Sequence, residues 1–373
     1  MLTTMEQTAG PPKESTLRRD SHISVRVFVL LLGFLPTIVG CDRNSTEGGN
    51  AQAKRSLDVA LEAVHPSSLG PSFAIVTGRI KDRPYGFLGS AAGLVVLEMS
   101  DVTHPNEVAS LMTAGAPQSL FLLGDYLFAA GGPGSSIIDV SEPEHPVRVG
   151  FLPAQNEVRD AAFDPTRRLA VVVDFLGLSV VDLSDPATPL EIGSMRTSGA
   201  PLRATLDIAR ELALVVGDGD SPAETGVLRL IDISDPTRPV ELGALSGSAL
   251  GIAVDTTRQI ALVAGRAGAT TRAGSLQLVD VSNPRRPARL AAIAIPGVGF
   301  DIALDGRRNL AVVVGDGEVR GTGSLRVIDI SDPGRPVDVG GLDLPSRALR
   351  VVLDADNRLA LVAGGHGLII VRY

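Results

Sequence analysis

One type of segment recurs six times along the chain, at intervals of 41 to 50 residues. Its last copy, Arg326–Gly340, reads RVIDISDPGRPVDVG and places Asp329 inside an apolar run. Every copy has an acid at this position: Glu98, Asp139, Asp182, Asp232, Asp280 and Asp329. Self-similarity at this period is typical of solenoids, propellers and other repeat arrays. The repeat therefore restricts the chain to architectures that use one structural unit many times.

Each repeat contains four strand-like runs. In the fourth repeat they are RATLDIA, ELALVVG, VLRLIDIS and VELGALS, which are rich in Val, Ile and Leu and bounded by Gly, Pro and Asp. The second and third runs are apolar almost without alternation, which indicates sheets covered on both faces. The 41 Gly, 25 Pro and 3% aromatic residues fit many short strands joined by tight turns. This pattern predicts an all-β protein, a β-propeller with four antiparallel strands in each blade.

The two ends of the chain predict the number of blades. The C-terminal sequence RALRVVLDADNRLALVAGGHGLIIVRY supplies the first three strands of a seventh unit and then stops. Near the start, DVALEAVHPSSLG resembles PVELGALSGSALG of the fourth unit, so Val59–Val64 can supply the missing fourth strand. We therefore expect a seven-bladed propeller over residues 57–373, closed in its last blade by an N-terminal strand. Because closure removes the open edges that invite pairing with another chain, we expect a monomer.

The third strands carry a family resemblance. The runs GLVVLEMS, GLSVVDLSDP, LRLIDISDP and LRVIDISDP resemble the LVIVD repeat of bacterial and archaeal surface proteins. The resemblance covers about residues 57–373. It implies a propeller exposed at the cell surface and implies no reaction, and fold alone does not assign function.

Residues 25–40, VRVFVLLLGFLPTIVG, form an apolar segment preceded by Arg18 and Arg19. The segment is shorter than the roughly 20 apolar residues of a spanning helix, and Pro36 interrupts it. A basic region, a short apolar region and a small residue before the cleavage point are typical of a secretory signal. Residues 1–40 are therefore predicted to be a signal peptide.

The sequence Ile38-Val39-Gly40-Cys41 resembles a bacterial lipobox. That resemblance implies that Cys41 is lipidated and becomes the mature N-terminus, with residues 41–56 as a flexible tether. The protein would then sit in the cell envelope, attached through its lipid to a bacterial membrane and exposed outside the cytoplasm. The alternative is an uncleaved anchor with an incidental cysteine. Cys41 is the single cysteine of the chain, which excludes an internal disulfide framework and any multi-cysteine zinc site.

The repeated acids are interpreted as turn residues. In DISDPGRP, Ser331 and Asp332 are suited to hydrogen-bond nearby backbone amides, and Pro333 fixes the backbone. The seventh third-strand has Arg372 at the acidic position, and no turn follows it. The acid therefore accompanies the turn. His104 and His145 occupy a turn position that is Thr or Arg in other repeats, so they do not indicate a metal site.

A second turn recurs between the first and second strands, as DPTRR, DIARE, DTTRQ, DGRRN and DADNR. On a propeller these turns share a face with the Ser-Asp-Pro turns, and we call it the turn face. We expect the arginines of these turns to pair with nearby acids there: Arg168, Arg258, Arg308 and Arg358.

The opposite face carries the candidate site. The loops between second and third strands are long in three adjacent units, at 217–226, 265–274 and 315–323, and they define the long-loop face. Loops positioned by a rigid scaffold are where binding usually resides. The candidate ligand-binding residues are Asp218, Asp220, Arg266, Asp316 and Glu318. The GDGD and GDGE sequences place Asp218, Asp220, Asp316 and Glu318 near flexible glycines, which suits Ca²⁺, although neither has EF-hand spacing. Gly- and Asp-rich turns without an ion are the alternative.

Two classes of function fit these features. The first is a lipid-anchored interaction scaffold that binds a surface protein or glycan, with no cofactor. The second is an envelope enzyme, or a calcium-dependent binding protein, with its site on the long-loop face or at the mouth of the central channel. No nucleophile-elbow motif is present, which favours the scaffold. The net charge of -8 and the scarcity of aromatic residues argue against nucleic acid.

Overall fold

The protein folds as a ring of seven antiparallel sheets, seen in a computed structural model that describes residues 56–217, 226–247, 249–268 and 273–373. The first strands of the blades contact one another in sequence, and the last contacts the first. The predicted seven-bladed propeller is therefore confirmed. Within the described ranges the helical segment is a short 3-10 turn at Ile208–Arg210, and no helix there is long and apolar enough to cross a membrane.

The strands, in chain order, are β1 Ala60–His65, β2 Ser72–Ile80, β3 Arg83–Ser90, β4 Gly93–Glu98, β5 Asn106–Met112, β6 Ser119–Leu123, β7 Tyr126–Asp139, β8 Val147–Val158, β9 Asp160–Asp164, β10 Leu169–Val173, β11 Gly177–Asp182, β12 Leu190–Arg196, β13 Pro201–Asp207, β14 Leu212–Gly217, β15 Val227–Asp232, β16 Val240–Ser246, β17 Gly251–Asp255, β18 Ile260–Arg266, β19 Gly274–Asp280, β20 Ala288–Ile295, β21 Gly299–Asp305, β22 Leu310–Asp316, β23 Gly323–Asp329, β24 Val337–Leu344, β25 Ala348–Asp354, β26 Leu359–Gly364 and β27 Gly367–Arg372.

Blades 1 to 6 consist of consecutive strands, and blade 7 combines the two ends of the chain. The blades are β2–β5, β6–β8, β9–β12, β13–β16, β17–β20, β21–β24, and β25–β27 with β1. In blade 2 the long β7 provides both middle strands, because its first half pairs with β6 and its second half with β8. It bends at Gly132, whose φ of 59° lies in the left-handed region that glycine tolerates best.

The ring closes where the sequence predicts. Strand β1 pairs with β27 in antiparallel register from Ala60 opposite Arg372 to His65 opposite Leu368. The strand begins and ends one residue later than the predicted Val59–Val64. Arg372, which replaces the repeated acid, forms an ion pair with Glu62 of β1 at 2.7 Å. The exception in the repeat therefore helps to hold the closing strand.

The core lies between blades. The middle strands are buried on both faces, as in β10, where all residues from Leu169 to Val173 are buried. Seven apolar clusters each join two neighbouring blades, and one of them links blade 7 to blade 1 through Leu361 and Leu88. Burial on both faces explains why the apolar runs lack alternation.

The repeated acids hold the turns between third and fourth strands. In every copy the side chain accepts a hydrogen bond from the backbone N–H of the serine two residues later. For Asp329 this bond to Ser331 is 2.8 Å, and the Ser331 hydroxyl donates a second one at 2.6 Å. Asp332 accepts from Gly334 at 2.9 Å. Hydrogen bonds from serine lower the pKa of three of these carboxyls: Asp182, Asp232 and Asp280. Their role in the turn is confirmed.

Arginines of the other recurring turn connect blades on the turn face. In blades 3 to 6 the first residue of the turn is Asp and the fourth is Arg, and each pair is joined at 2.7 Å: Asp164–Arg167, Asp207–Arg210, Asp255–Arg258 and Asp305–Arg308. The guanidinium also donates to a backbone carbonyl of the next blade, as in Arg258 Nη1 to Ile330 O at 2.7 Å. Each such arginine therefore bonds to its own turn and to the neighbouring sheet.

The expected pairing is confirmed for Arg258 and Arg308 and wrong for Arg168 and Arg358. These two are the fifth residue of the turn, with left-handed φ values of 54° and 57°. The carboxylate accepts from the backbone N–H of the fourth residue, so the fourth side chain lies beside it. Arg168 Nη1 instead lies 3.5 Å from Ser184 O, and Arg358 has no ion pair within the described part of the chain. The sequence DPTRR offers two adjacent arginines and does not show which one pairs.

Arg258→Met tests the connection between blades 5 and 6. The variant keeps an apolar stem of similar length but leaves Oδ2 of Asp255, whose side chain is 14% exposed, and Ile330 O without their guanidinium donors. Hydrogen bonds to charged groups contribute about 1.5–3 kcal/mol, and we expect a loss of that size in unfolding free energy by urea titration. The matched control is Arg307→Met, because Arg307 pairs with Asp356 at 75% exposure and such pairs contribute about 0–1 kcal/mol. Equal losses in the two variants would contradict the assignment.

Candidate functional site

Some of the predicted loop residues lie within the described part of the chain, and others lie outside it. Asp218 and Asp220 lie outside the described residues. Arg266 ends β18 and is exposed, and Glu318 is exposed in the loop after β22. Asp316 ends β22, and its Oδ1 lies 2.5 Å from Nε of Arg347. The structure thus pairs Asp316 with a cation that the sequence did not associate with it.

The loop at 315–323 is closed on itself. Gly317 N donates to Thr322 O at 2.9 Å, and the Thr322 hydroxyl donates to Val319 O at 2.8 Å. Val319 at its tip is 65% exposed. Among the described residues no group of three His, Cys, Asp or Glu side chains is arranged to hold a metal. The calcium site stays a prediction, because Asp218 and Asp220 belong to it.

The mouth of the central channel lies on the same face. Asp316 N donates to Val298 O, at 3.0 Å, in the connection that leads from blade 5 into β21, the first strand of blade 6. The first strands therefore start at the long-loop face and run towards the turn face. Side chains near their starts surround the mouth of the channel.

The register of the seven sheets identifies one set of equivalent residues near this mouth. In each blade one residue of the first strand pairs with the corresponding residue near the end of the second strand. Around the ring these residues are Ala74, Ser119, Asp160, Arg203, Gly251, Asp301 and Arg350. Three are small, and four are charged residues from blades 3, 4, 6 and 7. We call these seven residues the channel ring.

Arg350 crosses the channel. Its Nη2 lies 2.6 Å from Oδ1 of Asp160 and donates to Gln118 O at 2.8 Å, so blade 7 is bonded to blades 2 and 3. Its Nη1 lies 3.8 Å from Oδ1 of Asp301 in blade 6. The side chains of Arg350 and Asp160 are 11% and 5% exposed. Removing one partner of such a buried pair costs about 3–5 kcal/mol because the other charge is left buried and uncompensated, so each of the two side chains depends on the other.

The two aspartates of the channel ring also bond to backbone. Asp160 Oδ2 accepts from Ala204 N, and Asp301 Oδ2 accepts from Val351 N, both at 2.9 Å and both in the next blade. Burial raises the pKa of the Asp301 carboxyl, although Arg350 and the Val351 amide act in the opposite direction. Both carboxylates are thus committed to holding first strands together.

Asp160, Asp301 and Arg350 each bond to another blade, whereas Arg203 makes no such bond within the described residues. Its Nη1 donates to Leu202 O at 3.0 Å, and its buried Nε has no hydrogen-bond partner within the described residues. Loss of hydration lowers the pKa of its guanidinium to about 10, with a further contribution from the nearby Arg350. The side chain therefore remains charged at neutral pH.

A small cleft of about 170 Å³ lies beside Arg203. Its lining residues are Gln118, Glu157, Val158, Arg159, Leu202 and Arg203. Arg159 stacks on the exposed Phe175, with Cζ 3.6 Å from the ring centroid. A polar cleft with two arginines at a channel mouth is suited to hold a small ligand.

Sequence reasoning missed this cluster because it compared the third strands. The signal lies in the first strands, where Asp160, Arg203, Asp301 and Arg350 interrupt otherwise apolar runs. Other repeats have Ala, Ser or Gly at the same position. An alignment of first strands would have shown that these four charges depart from their repeat equivalents.

Comparison with known proteins agrees with the architecture. The LVIVD repeat model matches residues 85–113, 114–151, 170–197, 223–246 and 319–343. No curated protein sequence matches the chain. The fold is similar to a solved structure of the Kuenenia stuttgartiensis hydrazine synthase, with a TM-score of 0.65 and 12% identity over 83% of this chain and 97% of that chain. At that identity the likeness shows the fold alone. The chain is therefore a seven-bladed β-propeller that carries LVIVD repeats.

Proposed function

We propose that this propeller is a binding scaffold whose surface protein or glycan partner docks on the long-loop face. The observation that supports this proposal is that several carboxylates of the described residues already bond to groups of the fold. Asp160 and Asp301 hold first strands together, Asp255 and Asp305 hold turn arginines, and Asp329 holds a turn. These acids serve architecture, whereas the loop tip at Val319 and the cleft beside Arg203 are open to contact.

We further propose that Cys41 is lipidated and attaches the protein to a bacterial membrane, outside the cytoplasm. Support comes from the lipobox-like sequence and from where the described chain enters the propeller. Leu57 N donates to Val339 O, and β1 is the fourth, outermost strand of blade 7. The chain thus enters at the outer rim, away from the channel mouth. An anchor that joins the propeller at this outer rim leaves the long-loop face free for a partner.

The anchor is tested by metabolic labelling with an alkyne fatty acid in a bacterial host. We expect label on the wild-type chain and none on Cys41→Ser, because the thiol is the proposed attachment point. Wild-type protein should also appear in the membrane fraction with a shortened N-terminus. Label that persists in Cys41→Ser, or an unlabelled wild-type chain, would refute lipidation at Cys41.

The docking face is tested by site-specific crosslinking on intact cells. A diazirine amino acid replaces Val319 at the tip of the long-loop face, and the matched control replaces Val240, which is 54% exposed at the start of β16. We expect a crosslinked product of defined mass from position 319 and none from position 240. Equal products from both positions, or a product from position 240 alone, would argue against this face.

A further inference from the structure

We propose that the channel mouth binds a compact oxyanion, a carboxylate or phosphate group of a small ligand, on the guanidinium of Arg203. This inference rests on the scaffold function and names the chemistry of a ligand for its channel mouth. Its basis is a guanidinium edge without a partner within the described residues, beside a cleft of suitable size, where the nearby carboxylates of Asp160 and Asp301 are bonded to other groups.

The free edge of Arg203 is the first step. Its Nη1 is bonded to Leu202 O, whereas Nε and Nη2 make no hydrogen bond within the described residues. The Nε and Nη2 hydrogens point in parallel and match the two oxygens of a carboxylate or phosphate. Arg167 and Arg210 also have one unpartnered nitrogen, but their Nε atoms bond to aspartate at 2.7 Å.

The balance of charge is the second step. Among the described residues the channel mouth has three cations, Arg159, Arg203 and Arg350, and three anions, Asp160, Asp301 and the exposed Glu157. Nη2 of Arg350 lies 2.6 Å from Oδ1 of Asp160, and its Nη1 lies 3.8 Å from Oδ1 of Asp301. Arg203 has no ion pair within the described residues, and Arg350 adds to the repulsion it experiences. An oxyanion bound there replaces lost hydration with charge-assisted hydrogen bonds.

The cleft is the third step. Its volume of about 170 Å³ equals that of roughly six liquid water molecules at about 30 Å³ each, which accommodates one carboxylate or phosphate group. Arg159 lines it beside Arg203 and is held by stacking on Phe175. Glu157, which is exposed, also lines it and opposes an anion by its charge. The site therefore contains both the group that binds and a group whose removal strengthens binding.

The test measures binding of inorganic phosphate and of succinate by calorimetry at constant ionic strength, with chloride as the reference salt. We expect saturable binding of at least one of them to the wild type. Arg203→Met should weaken it at least tenfold, since it removes the donating edge. Glu157→Gln should tighten it several-fold. Arg347→Met, which removes an exposed arginine of the same face, should leave affinity within twofold. Tighter binding of phosphate or of succinate identifies the preferred group.

Binding no stronger than that of chloride, or affinity that Arg203→Met leaves unchanged, overturns the inference. Folding of Arg203→Met is checked by its thermal transition, and Arg203→Lys provides a second variant that keeps the charge but loses the parallel edge. The lysine variant should also lose at least tenfold in affinity. If these anions fail to bind while position 319 still crosslinks, the oxyanion site fails and the docking face stands. If position 319 gives no crosslink while the anions still bind, the docking face fails and the oxyanion site stands.

Discussion

The antiparallel pairing of β1 with β27 is the constraint on which the rest of this propeller depends. It completes blade 7 with a strand from the other end of the described chain, so both ends are held in one sheet. The ion pair of Arg372 with Glu62 supports this pairing. With the ring closed, every blade has a neighbour on both sides, and seven apolar clusters bury the middle strands between them. Apolar burial of this kind is the dominant favourable contribution to folding.

Besides supporting the closing strand, arginines have three further roles in this ring. On the turn face they join one blade to the next, as Arg258 does between Asp255 and Ile330 O. At the ring centre Arg350 bonds across the channel to Asp160. Arg203 lies at the same level but keeps a free guanidinium edge beside a cleft. The first two roles are structural, and the third provides a place where a ligand can add bonds that the protein does not make itself.

Much of the architecture was predictable because repetition gives several independent readings of the same unit. Six copies of the acid before a turn, and a seventh without a turn, were enough to assign Asp329 to structure. The turn arginines were predictable as a class but not by position, since DPTRR does not reveal that its fifth residue is left-handed. The channel ring was missed because its charges are single departures within first strands. Arg350 and Asp160 are 190 residues apart in the sequence, and ring closure brings them together.

Native-state hydrogen exchange of blade 7 tests the closure most directly. If β1 is an integral fourth strand, its bonded amides open only when the ring opens. We then expect the amides of β1 to have the same free energy of exchange as those of β25 and β26. Amides of β1 that exchange rapidly while β25 and β26 stay protected would contradict the account, because the ring would then hold together without its N-terminal strand.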